Sequence, residues 1–204
     1  MGSGTTMNTL NNIKLKLKDF RDKNTLVYDL FTSIVISYIL VLVLTNFIAY
    51  PIHVEGSSMY PTLHDLDYGF SNLLSYRSEG IERGDIVIIY YPPIEDYLIK
   101  RAIGLPGDMV ECKDDIIYIN GQAIEEPYLN TKYRDDWVKS GEPFTANFGP
   151  VFVKADEVFV MGDNRRTGGS TDSRIFGPLK IELIRSKDIY IFYPLSHFRW
   201  ITGP

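Results

Sequence analysis

Cysteine is nearly missing from this chain, with Cys112 the only one among 204 residues. A single thiol excludes an internal disulfide framework and any multi-thiolate metal site, and it leaves the redox compartment unmarked. Histidine is scarce too, represented by His53, His64 and His197. No two of them stand four apart as a metal-binding pair does, so neither a metal nor a cofactor is expected. Internal repeats and low-complexity tracts are absent. With no basic block beyond the N-terminus and a net charge of −5, nucleic acid is not expected as a partner. The most informative absence is local. Between Asp29 and Glu55 no residue is formally charged.

Apolar residues fill that gap. Leu30 to Ile52 is dominated by Ile, Val, Leu, Phe and Tyr, and as a helix it spans roughly 35 Å, enough for a hydrocarbon core of about 30 Å. A cleaved secretory signal has a shorter apolar core of about 7 to 15 residues, so residues 27–52 read as a permanent transmembrane anchor. Lys14, Lys16, Lys18, Arg21 and Lys23 precede it against only Asp19 and Asp22. The positive-inside rule then leaves the N-terminus in the cytoplasm and sends residues 53–204 across a cell membrane crossed once. Met1 to Thr6 reads as an expression scar ahead of a native start at Met7, so residues 1–26 are scar plus a cytoplasmic basic segment. At 45% hydrophobic content the remainder suffices for one domain with its own core.

Beyond the anchor the patterning is that of strands and turns. Asp85 to Tyr91 is a short apolar run between Gly84 and Pro92-Pro93, as in a strand buried on both faces. Ile116 to Ile119, Asn120-Gly121 and Gln122 to Ile124 form a hairpin signal, because Asn-Gly accepts the positive φ angles of a type I′ turn. Val151 to Val153, Val158 to Met161 and Ile189 to Tyr193 add three further strand candidates. No helical pattern follows residue 54, and residues 128–150, rich in charge, Gly, Asn and Pro, read as an irregular excursion. The expected class is mainly β, preceded by one N-terminal transmembrane helix.

Val54 to Leu63 contains Ser57 and Ser58 in a turn that Gly56 permits and Pro61 stiffens. A serine hydroxyl is a weak nucleophile and needs a general base. Two kinds of residue could serve, a histidine, with His64 the nearest in sequence, or a lysine. Lys100 is flanked by Leu98, Ile99, Ala102 and Ile103, so it can be drawn into an apolar wall. Desolvation lowers a lysine by about 3 to 5 units from about 10.4, enough to neutralise it near pH 7. Arg101 cannot yield its proton and suits a permanent ion pair.

Four ordered stretches carry a resemblance. They are Ser58-Met59-Tyr60-Pro61-Thr62-Leu63, then Arg83-Gly84-Asp85-Ile86-Val87, then Lys100 to Asp108, and Gly162-Asp163-Asn164-Arg165 with Ser170-Thr171-Asp172-Ser173-Arg174 shortly after. Together they resemble the boxes of type I signal peptidases, in the single-anchor Gram-positive form, and the similarity runs from residue 30 to the end. The resemblance implies a membrane-anchored serine endopeptidase on a signal-peptidase-type β-sheet domain. It would remove signal peptides from exported preproteins at the surface of a bacterial membrane. It implies Ser58 as nucleophile, Lys100 as general base, Ser170 hydrogen-bonded to that lysine, and Asp172 and Arg174 bracing the site by ion pairing, with Arg101 as partner. Met59, Leu98 and Ile99 are expected to contact substrate. The chain departs from the pattern in three places. Gly56 stands where some members have an oxyanion-stabilising serine, leaving Ser57 as a substitute. Leu98 stands where an aromatic is common. Arg166-Thr167-Gly168-Gly169 adds length before Ser170. The nucleophile follows Ile52 by at most about 20 Å of extended chain, which places the chemistry near the lipid bilayer. A non-catalytic relative serving as an assembly factor, for example in pilus biogenesis, is the alternative, and a self-cleaving regulator with the same chemistry would need a DNA-binding segment that the sequence lacks.

Overall fold

A computed structural model describes Leu15 and residues 25–203. The scar and the basic flank expected before the anchor lie outside the described residues. The chain divides between Asn46 and Phe47 into two compact units.

α1 (Thr25–Val43) lies in the first unit and runs into a π-helical turn, Leu44–Ile48, that crosses the division, with no buried side chain along either. A helix that is apolar all round has no solvated face and suits a membrane span. Its few polar side chains bond back to their own backbone: Thr45 Oγ1 donates to Val41 O at 2.9 Å and Asn46 Nδ2 to Leu42 O at 2.8 Å. This is how a helix in an apolar medium satisfies them. The helical span, Thr25–Ile48, stops short of the boundary read from the sequence. Residues 49–52 belong instead to β1 (Ala49–His53), because Pro51 has no N–H for a helix ladder yet is tolerated on a sheet edge.

The second unit is β-rich, as expected. β1, β2 (Tyr68–Asn72), β3 (Ile86–Tyr91), β4 (Asp96–Gly104), β9 (Glu157–Met161), β10 (Leu179–Lys180), β11 (Ile184–Tyr193) and β12 (Arg199–Ile201) build the larger sheet. Its order is β1-β2-β11-β3-β4-β9-β10, with β12 also beside β11. β11 bulges at Asp188, where φ is 54°, so its first half pairs with β3 and its second with β12. β5 (Met109–Lys113), β6 (Ile116–Ile119), β7 (Gln122–Ala123) and β8 (Phe148–Phe152) form a second sheet in the order β7-β6-β5-β8. Asn120 and Gly121 take φ of 54° and 80°, the hairpin turn read from the sequence.

Contrary to the sequence reading, helices do occur after residue 54. α2 (Leu73–Glu79) is capped by the Asn72 side chain, and α3 (Lys132–Val138) by Thr131 Oγ1. α4 (Ser173–Phe176) is a single turn started by Asp172. All are too short for an apolar stripe to repeat, so caps rather than periodicity mark them. α3 lies in the 128–150 excursion, which is therefore partly regular.

The core falls into three clusters. Ile103, Val110, Ile117, Val153 and Phe159 join the two sheets, and Val87, Ile89, Ala102 and Val160 fill one side of the central strands. Val54, Met59, Leu63, Ile86, Ile189 and Ile191 form the third cluster, which fastens the serine turn to the larger sheet.

Candidate active site

The loop after β1 closes on itself through Val54 N–H to Asp67 O at 2.8 Å and Leu66 N–H to Val54 O at 2.9 Å. Within it Gly56 has a φ of 83°, which favours glycine, and its N–H donates to Asp65 Oδ1 at 2.7 Å. Leu63 N–H reaches Met59 O at 2.9 Å, so the stretch from Met59 makes one helical turn. Met59 and Leu63 are buried in the core cluster beneath, leaving Ser58 part-buried at the rim.

β4 supplies the partner. It runs from exposed Asp96 into the fully buried Arg101 to Gly104, and Lys100 stands at the crossing, 3% exposed. Lys100 Nζ lies 2.7 Å from Ser58 Oγ and 3.1 Å from Ile99 O. Burial lowers its pKa to about 8, against the opposing pull of Asp172 and Asp163. A lysine so placed can accept a proton near neutrality, and the hydroxyl beside it is the group it would take it from. His64, the other base considered, turns toward Asp67 and His197 instead.

The loop after β9 backs the serine turn. Asn164 N–H donates to Ser58 O and Asn164 Nδ2 to Ser57 O, both at 3.0 Å. Gly162 permits this approach, since a Cβ there would overlap the Ser58 carbonyl oxygen and Ser170 Oγ. Asp163, fully buried, takes Arg101 Nε at 2.8 Å and a second guanidinium nitrogen at 2.6 Å, and accepts from Thr62 Oγ1 at 2.5 Å. Asp172 takes both sides of Arg174 at 2.8 Å and the Gly162 N–H at 2.9 Å. Burial pushes the Asp172 carboxyl up, but Arg174 and that N–H outweigh it and hold it below the usual range.

Beside the dyad runs a cleft of about 230 Å³ between Tyr50–Glu55 on one side and Asp96–Lys100 on the other, with Ser58 and Met59 on its floor. Both walls present strand edges without a partner strand. Among the described residues β1 pairs only with β2, and the pairing of β4 with β9 begins at Arg101.

The family described as signal peptidase, peptidase S26, matches residues 27–193. The chain belongs to that family. Signal peptidase I S of Bacillus subtilis (strain 168) is 41% identical over 168 residues, covering 82% of this chain and 89% of its own. Signal peptidase IB of Staphylococcus aureus (strain MRSA252) is 34% identical over 182 residues, covering 84% and 92%. The crystal structure of a signal peptidase I from Enterococcus faecalis V583 shares 36% identity over 52% of this chain and 95% of its own, with a TM-score of 0.47.

A signal peptidase is a peptide-bond hydrolase, and the residues expected to serve it are for the most part gathered at one place. Ser58 and Lys100 meet, and Met59, Leu98 and Ile99 line the cleft. Two placements differ from expectation. Ser170 is buried across Gly162 from the serine turn, but the hydrogen bonds of Lys100 go to Ser58 and Ile99, and Ser170 Oγ has no partner among the described residues. Arg101 pairs with Asp163 rather than with Asp172, which Arg174 already saturates. Ser57 is exposed and contributes its carbonyl to Asn164, while Gly56 offers neither a side chain nor a free N–H. Asp163, Asn164 and Tyr133, whose hydroxyl donates to Asn164 Oδ1 at 3.0 Å, were not singled out from the sequence. The 162–165 motif already held two of them.

Proposed function

We propose that this signal peptidase cleaves exported preproteins with Ser58 as nucleophile and Lys100 as general base. The observation that carries this reading is the 2.7 Å contact between Ser58 Oγ and a buried lysine whose pKa falls to about 8. Neutral Lys100 takes the Ser58 proton as Oγ attacks the scissile carbonyl, and the resulting ammonium gives that proton to the leaving amine. The neutral lysine then takes a proton from water as its oxygen attacks the acyl carbon, and returns that proton to Ser58 Oγ as the acyl–oxygen bond breaks, which restores the neutral lysine and the serine hydroxyl. The Ser58 N–H is one oxyanion donor, a kind of contact worth about 3 kcal/mol.

The substrate lies extended in the cleft, adding its backbone hydrogen bonds to the free edges of β1 and of the outer part of β4. Met59 and Ile99 line the cleft beside the dyad, and small side chains before the cut follow from the family resemblance. Substrates carry an apolar signal segment in the same bilayer, and α1 is the anchor that holds the enzyme there, with its N-terminus cytoplasmic and the catalytic unit on the far side. From Ile48 to Ser58 the chain spans at most about 35 Å, so cleavage occurs near the lipid.

Full-length protein in detergent is expected to process a signal-peptide substrate, with Ser58→Ala and Lys100→Ala each abolishing turnover while thermal unfolding shows both still folded. Turnover that survives Lys100→Ala and disappears in His64→Ala removes the dyad. A non-catalytic assembly role has no need for a paired Ser58 and Lys100, and absence of turnover in the wild type would favour it.

A further inference from the structure

Below the serine turn, and outside the hydrolytic machinery, His64, Asp67 and His197 converge from two segments far apart in sequence. Asp67 is fully buried. Its Oδ1 is 2.6 Å from His197 Nδ1, and its Oδ2 accepts the His64 backbone N–H at 2.9 Å. The two imidazoles stack with centroids 4.3 Å apart and planes at 27°. His64 Nδ1 is 3.9 Å from Asp67 Oδ2, buried, and without a hydrogen-bond partner. Both Asp67 oxygens are thus bonded, and the unmet need is that of the buried His64 Nδ1, which lies too far from the carboxylate to bond it.

We propose that His64, Asp67 and His197 bind one divalent transition-metal ion of the zinc type, tying the loop that carries Ser58 to the C-terminal segment. Metal–ligand bonds of about 2.0 to 2.2 Å place two ligand atoms on one ion up to about 4 Å apart. The 2.6 Å separation to one Asp67 oxygen and the 3.9 Å separation to the other fall inside that span, and all three donor atoms lie within 4.8 Å of one another, so closure needs the two stacked imidazoles to turn their nitrogens toward a common point. Two imidazoles and one carboxylate suit zinc, whereas calcium and magnesium call for oxygen ligands throughout. The His64 and His197 side chains are 33% and 28% exposed, so water can complete the coordination. Ion entry displaces the proton shared by His197 and Asp67. Arg199 donates to Thr62 O beside the cluster, so both segments are already joined where the ion would sit.

The competing account is an ion pair between Asp67 and His197 with His64 stacked on it and no ion. Calorimetric titration of chelator-stripped full-length protein with zinc chloride separates the two, without reference to substrate cleavage. One equivalent is expected to bind in the micromolar range or tighter with proton release, magnesium is expected not to bind, and thermal unfolding is expected to move upward. His64→Gln loses no hydrogen bond, so it folds, and it is expected to weaken zinc at least a hundredfold, as is His197→Gln. Cobalt should give the visible absorption of a nitrogen- and oxygen-ligated ion in wild type only. No saturable zinc binding, or binding unchanged in His64→Gln and His197→Gln, overturns the proposal.

Discussion

Lys100 occupies the one stretch of β4 where the strand passes from solvent into the core, and its chemistry follows from that position. With a pKa near 8 it is about one-tenth neutral at pH 7. Plots of log kcat/KM against pH are therefore expected to rise with unit slope up to about pH 7, bend near pH 8 and level off above about pH 9. Asp172 raises the Lys100 pKa, while Arg174, which Asp172 neutralises, lowers it. Asp172→Asn should therefore move the rising limb to lower pH, even as it reduces the plateau, and a limb that moves upward or stays fixed rejects this coupling. The same burial has a cost in stability. Because the folded pKa is below the unfolded one, folding releases protons between about pH 8 and 10.5, and stability rises with pH across that window. The penalty is fully present below pH 8. Lys100→Met, inactive, should unfold at higher temperature than wild type at pH 6, by up to about 3 kcal/mol in stability, with the gap shrinking toward pH 10. The lysine was legible in the sequence because its apolar neighbours adjoin it in the chain. The Arg101–Asp163 pairing was not, since two aspartates and two arginines of similar local context can be joined in several ways until the fold chooses.

Among the elements, the loop after β9 and the 128–150 excursion act as one support. Tyr133 on α3 packs edge-on against Tyr60 at 4.7 Å and donates its hydroxyl to Asn164 Oδ1, and Asn164 in turn holds the carbonyls of Ser57 and Ser58. Arg166, the first residue of the added length, lies over the rings of Tyr133 and Trp137 at 5.7 and 5.3 Å, so the longer loop is docked on α3. Gly169 passes so close to Asn164 that a Cβ would overlap it. Asn164→Ala removes the side-chain bond to Ser57 while leaving the dyad in place. A lost buried hydrogen bond of about 1 to 3 kcal/mol corresponds to a fall of roughly 5- to 150-fold, expected in kcat with KM little changed and the pH limb unmoved. Tyr133→Phe should give a smaller effect of the same kind, and a rise in KM alone would place these residues in substrate binding instead. Strands β3 and β9 and the β6–β7 hairpin could be read from apolar runs and turn residues. The support could not, because it is made of short capped helices and long-range polar contacts, which leave no periodic trace. The end of the anchor was overextended for a related reason. β1 continues the uncharged run of the helix before it, and Pro51 and its pairing with β2 tell the two apart.

For the whole molecule, what stands out is an aromatic face on the catalytic unit. Phe70, Tyr190 and Trp200 lie in one row across β2, β11 and β12, and Phe192 and Phe198 flank them. Trp200 is 54% exposed and Phe198 57%. Such exposure excludes a core role for these two rings. A soluble domain seldom leaves so continuous an apolar surface to water, whereas aromatic rings with one polar edge favour the headgroup region of a bilayer. On the proposed reading, in which substrates are held in the same bilayer, that preference would keep the cleft at the depth where they emerge. In Trp137→Phe protein, Trp200 is the only indole left. After reconstitution into vesicles, its emission is expected to be quenched by lipids labelled near the headgroup more than by lipids labelled at the chain end. Replacing Phe198 and Phe70 by Asp should relieve the quenching and raise KM severalfold for a membrane-embedded precursor, while cleavage of a short soluble peptide stays unchanged because the dyad and the cleft are untouched. Unquenched Trp200 emission in the starting protein would mean that the aromatic face is turned to water, and the anchor alone would then hold the enzyme at its substrates.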